Sequence, residues 1–160
     1  NLALLYRGSR DGFASTDFHS KCDDNGATVT LVKTMQGFVF GAFSDRSWLS
    51  KSTYLHSEKS FLLSIVNLAG LAPLKLPINE ISHKNAMTCD KRYGPIFGGV
   101  INFVFCSADM FICSNCDLNC HSYSRLGFSY SLPPEQKSDL FLAGSFNFQV
   151  AEMEVFSVHS

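Results

Sequence analysis

Three thiols and an imidazole fall within nine residues of this chain, at Cys113-x2-Cys116-x3-Cys120-His121. Four such groups are a ligand set for a structural zinc ion. Structural zinc sites usually combine two knuckles from separate segments, however, and adjacent Cys120 and His121 would have difficulty converging on one ion. The cluster is therefore read as free cysteines in a loop, with no metal and no cofactor assigned. The same loop has a second chemical reading. Cys120 beside His121, in an exposed stretch, could supply the activation and access that a thiol reactive toward oxidants needs.

Two carboxylates form the next constellation. Glu152 and Glu154 alternate along the last strand-like segment, so their side chains share one direction. Paired carboxylates can act as acid and base, but neighbours at i and i+2 on one strand sit side by side, not across a substrate. They are read as a solvated face or as an acidic contact patch for a basic partner. Nucleophilic catalysis has less to stand on. Gly127-Phe128-Ser129 is a fragment of a G-x-S-x-G elbow, and His19, His56, His83, His121 and His159 are scattered. No catalytic residue is assigned, and the chain is expected not to be an enzyme.

The stretch "YGPIFGGVINFVF", Tyr93 to Phe105, resembles a ligand loop at first sight. A dinucleotide fingerprint needs G-x-G-x-x-G ahead of a helix, and a phosphate loop needs Gly-Lys-Ser/Thr. Gly98-Gly99 has neither and leads into a strand-like run, without the helix dipole that serves anion binding. The glycines are read as architectural, supplying positive φ or letting another segment approach closely.

These groups are positioned by a chain of 160 residues, enough for one domain with a proper core. Hydrophobic residues make up 46% and charged residues 17%, the latter below the roughly 25% of ordinary domains. Together with a mean hydropathy of +0.07, this suggests a tightly packed domain with a surface that is normally covered. Thirteen basic and 14 acidic residues give a net charge of −1 with no basic stripe, so nucleic-acid binding is not expected. No apolar run approaches the ~20 residues of a transmembrane segment. Six cysteines among so many apolar residues fit free thiols in a reducing compartment better than a disulfide scaffold. Cys106 reads as a buried thiol in a strand. The chain starts at Asn1, and it is expected to be part of a longer protein.

Along the chain, Leu2 to Tyr6 predicts a strand and Arg7 to Phe13 a turn. Ser15 or Thr16 is expected to cap a short helix that Asp24-Asn25-Gly26 closes. Thr28 to Val32 and Phe38 to Phe43 predict a hairpin about Gln36-Gly37. The second of these strands is apolar on both faces, which belongs mid-sheet or between layers. Ser44 to Lys59 is polar and holds Trp48. Phe61 to Leu68 predicts another strand, and Leu71 to Ile78, with Pro73 and Pro77, an edge strand. Asn79 to Arg92 reads as irregular. Ile101 to Phe105 is expected to pair with Met110 to Cys113, and Ser114 to Ser138 to form a long loop. Phe141 to Val158 closes the chain in strand alternation. The fold class expected is mainly β with minor helix.

In order and spacing, "LLYRGSRDGF", "TVTLVKTMQGFVFGAF", "YGPIFGG", "SYSRLGFSY", "FLAGSFNF" and "AEMEVFSV" resemble a TLDc domain across nearly the whole chain. The form is that of divergent members joined to other modules in protists and invertebrates. The resemblance implies two antiparallel β-sheets packed as a sandwich with a few short helices at the margins, over residues 1–160. Ser9, Gly12, Phe40 and Gly41 match recurring positions, as do Gly98 and Gly99, where the family shows a longer glycine run. Glu154 matches the glutamate before the final hydrophobic pair, with Glu152 two before it. The family has no established catalytic mechanism; members protect against oxidative damage, and several bind the V-type proton ATPase. The resemblance thus implies a cytoplasmic protein-interaction domain, linked to stress response and binding the peripheral sector of that pump or another large assembly. A redox role for Cys113, Cys116 and Cys120, and a purely structural role in a complex, are the alternatives.

Overall fold

Side chains that alternate with period two set the strands of this chain, and hydrogen-bond register sorts them into two layers. The computed structural model describes residues 1–99 and 107–159. The expected strand from Ile101 to Phe105 and Cys106 lie outside the described residues. The larger sheet contains β1 (Leu2–Arg7), β2 (Thr28–Thr34), β3 (Val39–Ser44), β5 (Phe61–Val66), β6 (Leu74–Pro77) and β12 (Val150–Val158). The smaller holds β4 (Thr53–Leu55), β7 (Met87–Cys89), β8 (Ile96–Phe97), β9 (Met110–Phe111), β10 (Ser122–Ser124) and β11 (Asn147–Phe148). Strand order is β1-β12-β2-β3-β5-β6 in the first and β11-β10-β9-β8-β7-β4 in the second. Every ladder pair is antiparallel. This is the mainly β fold that the strand pattern predicts, in the sandwich that the resemblance implies. Two short helices, α1 (Gly8–Asp11) and α2 (Ser15–Cys22), lie at its margin, and a 3-10 turn covers Glu80–Asn85. Among the described residues no helix is long and apolar enough to cross a membrane.

The doubly apolar strand β3 sits between β2 and β5, as its composition requires, and β6 with its prolines forms the sheet edge. Between the layers, Phe40 meets Phe148 edge to face at 5.3 Å. Trp48 is fully buried although its segment is polar. Its indole N–H donates to Thr28 Oγ1 at 3.1 Å, and its ring packs on Phe18 at 5.3 Å and Phe97 at 5.5 Å. One side chain thereby joins α2 to both sheets. Along β12, inward residues run Val150, Met153, Val155, Ser157. The break in alternation between 150 and 153 is a register shift opposite β2, where an extra residue restores the inward phase.

Several expectations need correction. The Arg7 to Phe13 turn contains the helical turn α1. Neither Ser15 nor Thr16 caps α2: the N-cap is Ala14, which has no acceptor. Asp17 accepts instead from the Ala14 N–H at 3.1 Å, while the Ser15 N–H donates to Ser114 Oγ at 2.9 Å. The strand from Phe61 stops at Val66. The stretch Asn79 to Arg92 holds β7 as well as the 3-10 turn. Within the predicted long loop, Ser122–Ser124 is a buried strand between β9 and β11. Its polarity hid it, because Ser122 is satisfied by the Cys113 N–H, which donates to its Oγ at 3.1 Å.

The two central glycines are architectural. Gly98 adopts φ +78° and Gly99 φ +150°, both in the region that favours glycine. A Cβ on Gly98 would run into the carboxylate of Asp109. Asp109 is fully buried. Its Oδ1 accepts the Ser129 N–H at 2.8 Å, and its Oδ2 accepts those of Gly127, Phe128 and Tyr130 at 3.1–3.3 Å. Burial pushes the Asp109 carboxyl up to about 6, with these backbone donors opposing the rise.

Replacing Asp109 by Asn sets an amide N–H₂ against a backbone donor and leaves that donor unsatisfied. Asp109→Asn is expected to lower stability by about 1–3 kcal/mol at pH 7 in chemical denaturation. The pH dependence has a defined sign. With its folded value near 6 against an unfolded ~3.9, Asp109 takes up a proton on folding. Its contribution is full below about pH 4 and declines as pH rises through about 6. Asp11 and Asp90, held at about 2 by hydrogen bonds from Arg10 and Arg92, act oppositely and lose their contributions only as pH falls below about 4. Denaturation midpoints measured between pH 4 and 6 should therefore contain a component that falls with rising pH and is absent from Asp109→Asn.

Candidate interaction surface

β12 lies second from the edge of the larger sheet, with Met153 and Val155 inward and Glu152 and Glu154 on the outer face. Glu154 Oε1 accepts from Arg7 Nε at 2.7 Å. The two side chains are 24% and 44% exposed, so solvent screens the pair and its net value is ~1 kcal/mol or less. Glu152 Oε1 accepts the N–H groups of Ser9 at 3.1 Å and Met153 at 3.0 Å, which fastens α1 to the strand. In both residues the contacts go through Oε1. The second carboxylate oxygens carry no hydrogen bond among the described residues, and Glu152 has no ion-pair partner there. Both carboxylates border a shallow groove of about 210 Å³ lined by Leu31, Val32, Lys33, Val39, Glu152 and Glu154.

The other recurring positions build the scaffold for this surface. Ser9 supplies the N–H just described. Gly12 ends α1 at φ +103°. Its carbonyl accepts from Tyr6 Oη at 2.7 Å, and Asp17 occupies the space a Cβ would need. Phe40 is wholly in the core. Gly41 lets β2 and β3 close, since a Cβ there would strike the Thr30 carbonyl.

Register shows what composition could only suggest, an apolar outer face. Leu4, Phe156, Val29, Phe43, Phe61 and Pro77 align in one row across all six strands. The next row reads Arg7, Glu154, Leu31, Gly41, Leu63, Lys75. The apolar side chains of these rows from β1 to β5 are half-buried. Phe43 and Phe61 stack at 5.1 Å, with Lys75 Nζ 3.9 Å above the Phe61 ring. The signal in the sequence was the doubly apolar strand β3; the extent of the face depends on pairings that no local pattern specifies.

The thiol cluster does not assemble. Cys113 and Cys116 are buried in the core, whereas Cys120 and His121 are exposed. This corrects the exposed loop expected for all three cysteines. Cys113 Sγ donates to Asn119 Oδ1 at 3.0 Å and accepts from Ser122 Oγ at 3.3 Å. Burial pushes the Cys116 thiol up to about 12 and that of Cys89 up to about 11. Among the described residues, no group of three or more His, Cys, Asp or Glu side chains is placed to hold a metal ion. His19, missed as a structural element, is buried, with Nδ1 at 2.7 Å from Asp23 Oδ1 and Nε2 at 3.0–3.1 Å from the Asp90 and Tyr93 carbonyls.

Comparison with known proteins bears on what such a surface serves. The MTOR-associated protein MEAK7 of Danio rerio is 34% identical over 62 residues, which is 39% of this chain and 14% of that protein. The chain thus matches only a small part of that relative's length. The family profile of the TLDc domain matches residues 1–159. With its two antiparallel sheets, marginal helices and the quoted motifs in place, the chain belongs to the TLDc domain family.

Proposed function

We propose that this domain is a non-catalytic protein-interaction module that binds a large assembly through the outer face of its larger sheet. The observation that carries this reading is the apolar row from Leu4 to Pro77, bordered by carboxylates whose second oxygens carry no hydrogen bond among the described residues. Contiguous apolar surface with a polar rim is the mark of an interaction site. Membership of the TLDc family supports the peripheral sector of the V-type proton ATPase as the assembly, in the cytoplasm and in the service of resistance to oxidative stress. The name of the MEAK7 relative records association with MTOR, which supports binding over catalysis.

The experiment is direct binding of the purified V-type ATPase peripheral sector to the immobilised domain. The double substitution Glu152→Lys with Glu154→Lys is expected to weaken binding by about tenfold or more, with the circular dichroism spectrum retained. Absence of binding by the unaltered domain would remove the pump from this reading, and binding untouched by the substitutions would remove these carboxylates from the contact.

A direct reaction of the thiol cluster with oxidants has less support, since attack needs an accessible thiolate and two of its three thiols are buried. Native-state alkylation followed by peptide mapping should label Cys120 first among the five described thiols. Loss of Cys120 in Cys120→Ser is expected to leave peroxide consumption at the background rate of the unaltered domain; a marked fall would restore the redox role.

A further inference from the structure

Of the five histidines only His19 is buried, in the last turn of α2. Both of its ring nitrogens face oxygen. Nδ1 lies 2.7 Å from Asp23 Oδ1, and Nε2 lies 3.1 Å from the Asp90 carbonyl and 3.0 Å from that of Tyr93. A carbonyl can only accept a hydrogen bond, and so can an ionised carboxylate. A neutral imidazole carries hydrogen on one nitrogen and a lone pair on the other. With hydrogen on Nε2, the Nδ1 lone pair would point at the Asp23 carboxylate. With hydrogen on Nδ1, the Nε2 lone pair would point at two carbonyls. Only the imidazolium, which donates from both nitrogens, satisfies all three contacts.

The surroundings favour that charge. Asp23 accepts at its other oxygen from Ser50 Oγ at 2.6 Å, so it serves as an acceptor on both sides. On the turn between β7 and β8, the Asp90 carboxylate is engaged by Arg92 at 2.7 Å and by Ser52 at 3.3 Å, and Tyr93 meets the ring through its carbonyl. Lys21, the other cation of α2, points to solvent. The C-terminal end of a helix stabilises a cation placed there. Phe18 meets the imidazole edge to face at 4.9 Å.

We propose that His19 is a proton-operated latch: as an imidazolium it ties α2 to the turn between β7 and β8, and loss of one proton releases the tie. Its two carbonyl acceptors lie 71 and 74 residues away, so the latch joins the marginal helix to the smaller sheet. The sign follows from linkage. Folding gives the imidazolium three acceptors that the unfolded chain does not hold in place. The latch therefore contributes fully below the ~6.5 at which a free imidazole titrates, and is lost as pH rises above it.

The test reads the ring directly. Nitrogen-15 spectra of the histidine-labelled domain at about pH 6.5 should show hydrogen on both ring nitrogens of His19. Chemical denaturation between about pH 6 and about pH 9 supplies the second readout. His19→Gln, neutral at every pH, is expected to raise the unfolding constant by about tenfold more at the acid end than at the alkaline end. Asp23→Asn keeps an oxygen facing Nδ1 but removes the charge, and should lose the imidazolium signature at a lower pH than the unaltered domain. Protection of the α2 amides against hydrogen exchange, corrected for intrinsic rates, should fall with rising pH more than that of β12. A single protonated nitrogen on His19 from about pH 5.5 to about pH 8, or a His19→Gln penalty that does not change with pH, would overturn the latch and leave His19 a neutral packing residue. If His19→Gln does not fold, the spectra of the unaltered domain and of Asp23→Asn decide the question alone.

Discussion

A carboxylate taken out of water needs donors from whatever backbone surrounds it, and Asp109 draws four of them from one turn. The N–H groups of Phe128, Ser129 and Tyr130 find their acceptor there, while that of Gly127 also reaches the Tyr130 carbonyl at 3.0 Å. Once held, the turn presents Tyr130, whose hydroxyl donates to the Ala86 carbonyl at 2.7 Å and lies 2.9 Å from Ser60 Oγ. Tyr130 also bridges to Ile78, just past the edge strand of the larger sheet. The smaller sheet, the turn and the edge of the larger sheet are thus linked through one buried anion. Gly98 is glycine because that anion fills the space above it.

Contrast with Glu152 and Glu154 separates commitment from availability. Asp109 has no exposure and both oxygens engaged, so any change to it is felt as stability. Among the described residues the two glutamates hydrogen-bond through a single oxygen each, at partly exposed positions where Coulomb energy is screened. Their intrachain bonds orient them without consuming them. This is why the same carboxylate group fixes the fold at one place and is available for the proposed partner at another.

Legibility followed the range of the interactions. The β2–β3 hairpin, the proline-marked edge and the alternation of β12 are local patterns and could be read directly, whereas the phase break at the bulge shows only in the pairing with β2. What escaped depends on partners far along the chain. Trp48 looked like a polar-loop residue, although Phe18, Thr28 and Phe97 enclose it. The serines of β10 looked like a loop because hydroxyls satisfied by distant donors carry no apolar signature. Asp109 carries no local signal, since its donors lie 18 to 21 positions later. At the candidate surface, parity along β12 and the family resemblance located Glu152 and Glu154. Their ties to Ser9 and Arg7 span 143 and 147 residues, beyond any sequence pattern.

The apolar outer face poses a question of magnitude that the core does not. The sandwich interior already holds Phe40, Leu62, Val32 and Val155, and the fold does not require Val29, Phe43 or Phe61 to be apolar as well. Covering the exposed part of one such residue, a third or less, contributes roughly 1 kcal/mol at most. Four or five of them together outweigh the ~1 kcal/mol or less of a screened surface ion pair. In the proposed interaction, apolar area is the source of affinity on this face, while the carboxylates set the direction in which a partner lies. A change at Glu152 or Glu154 acts on which partner is accepted and how it is aligned. A change at Val29 or Phe43 acts on whether any is held at all.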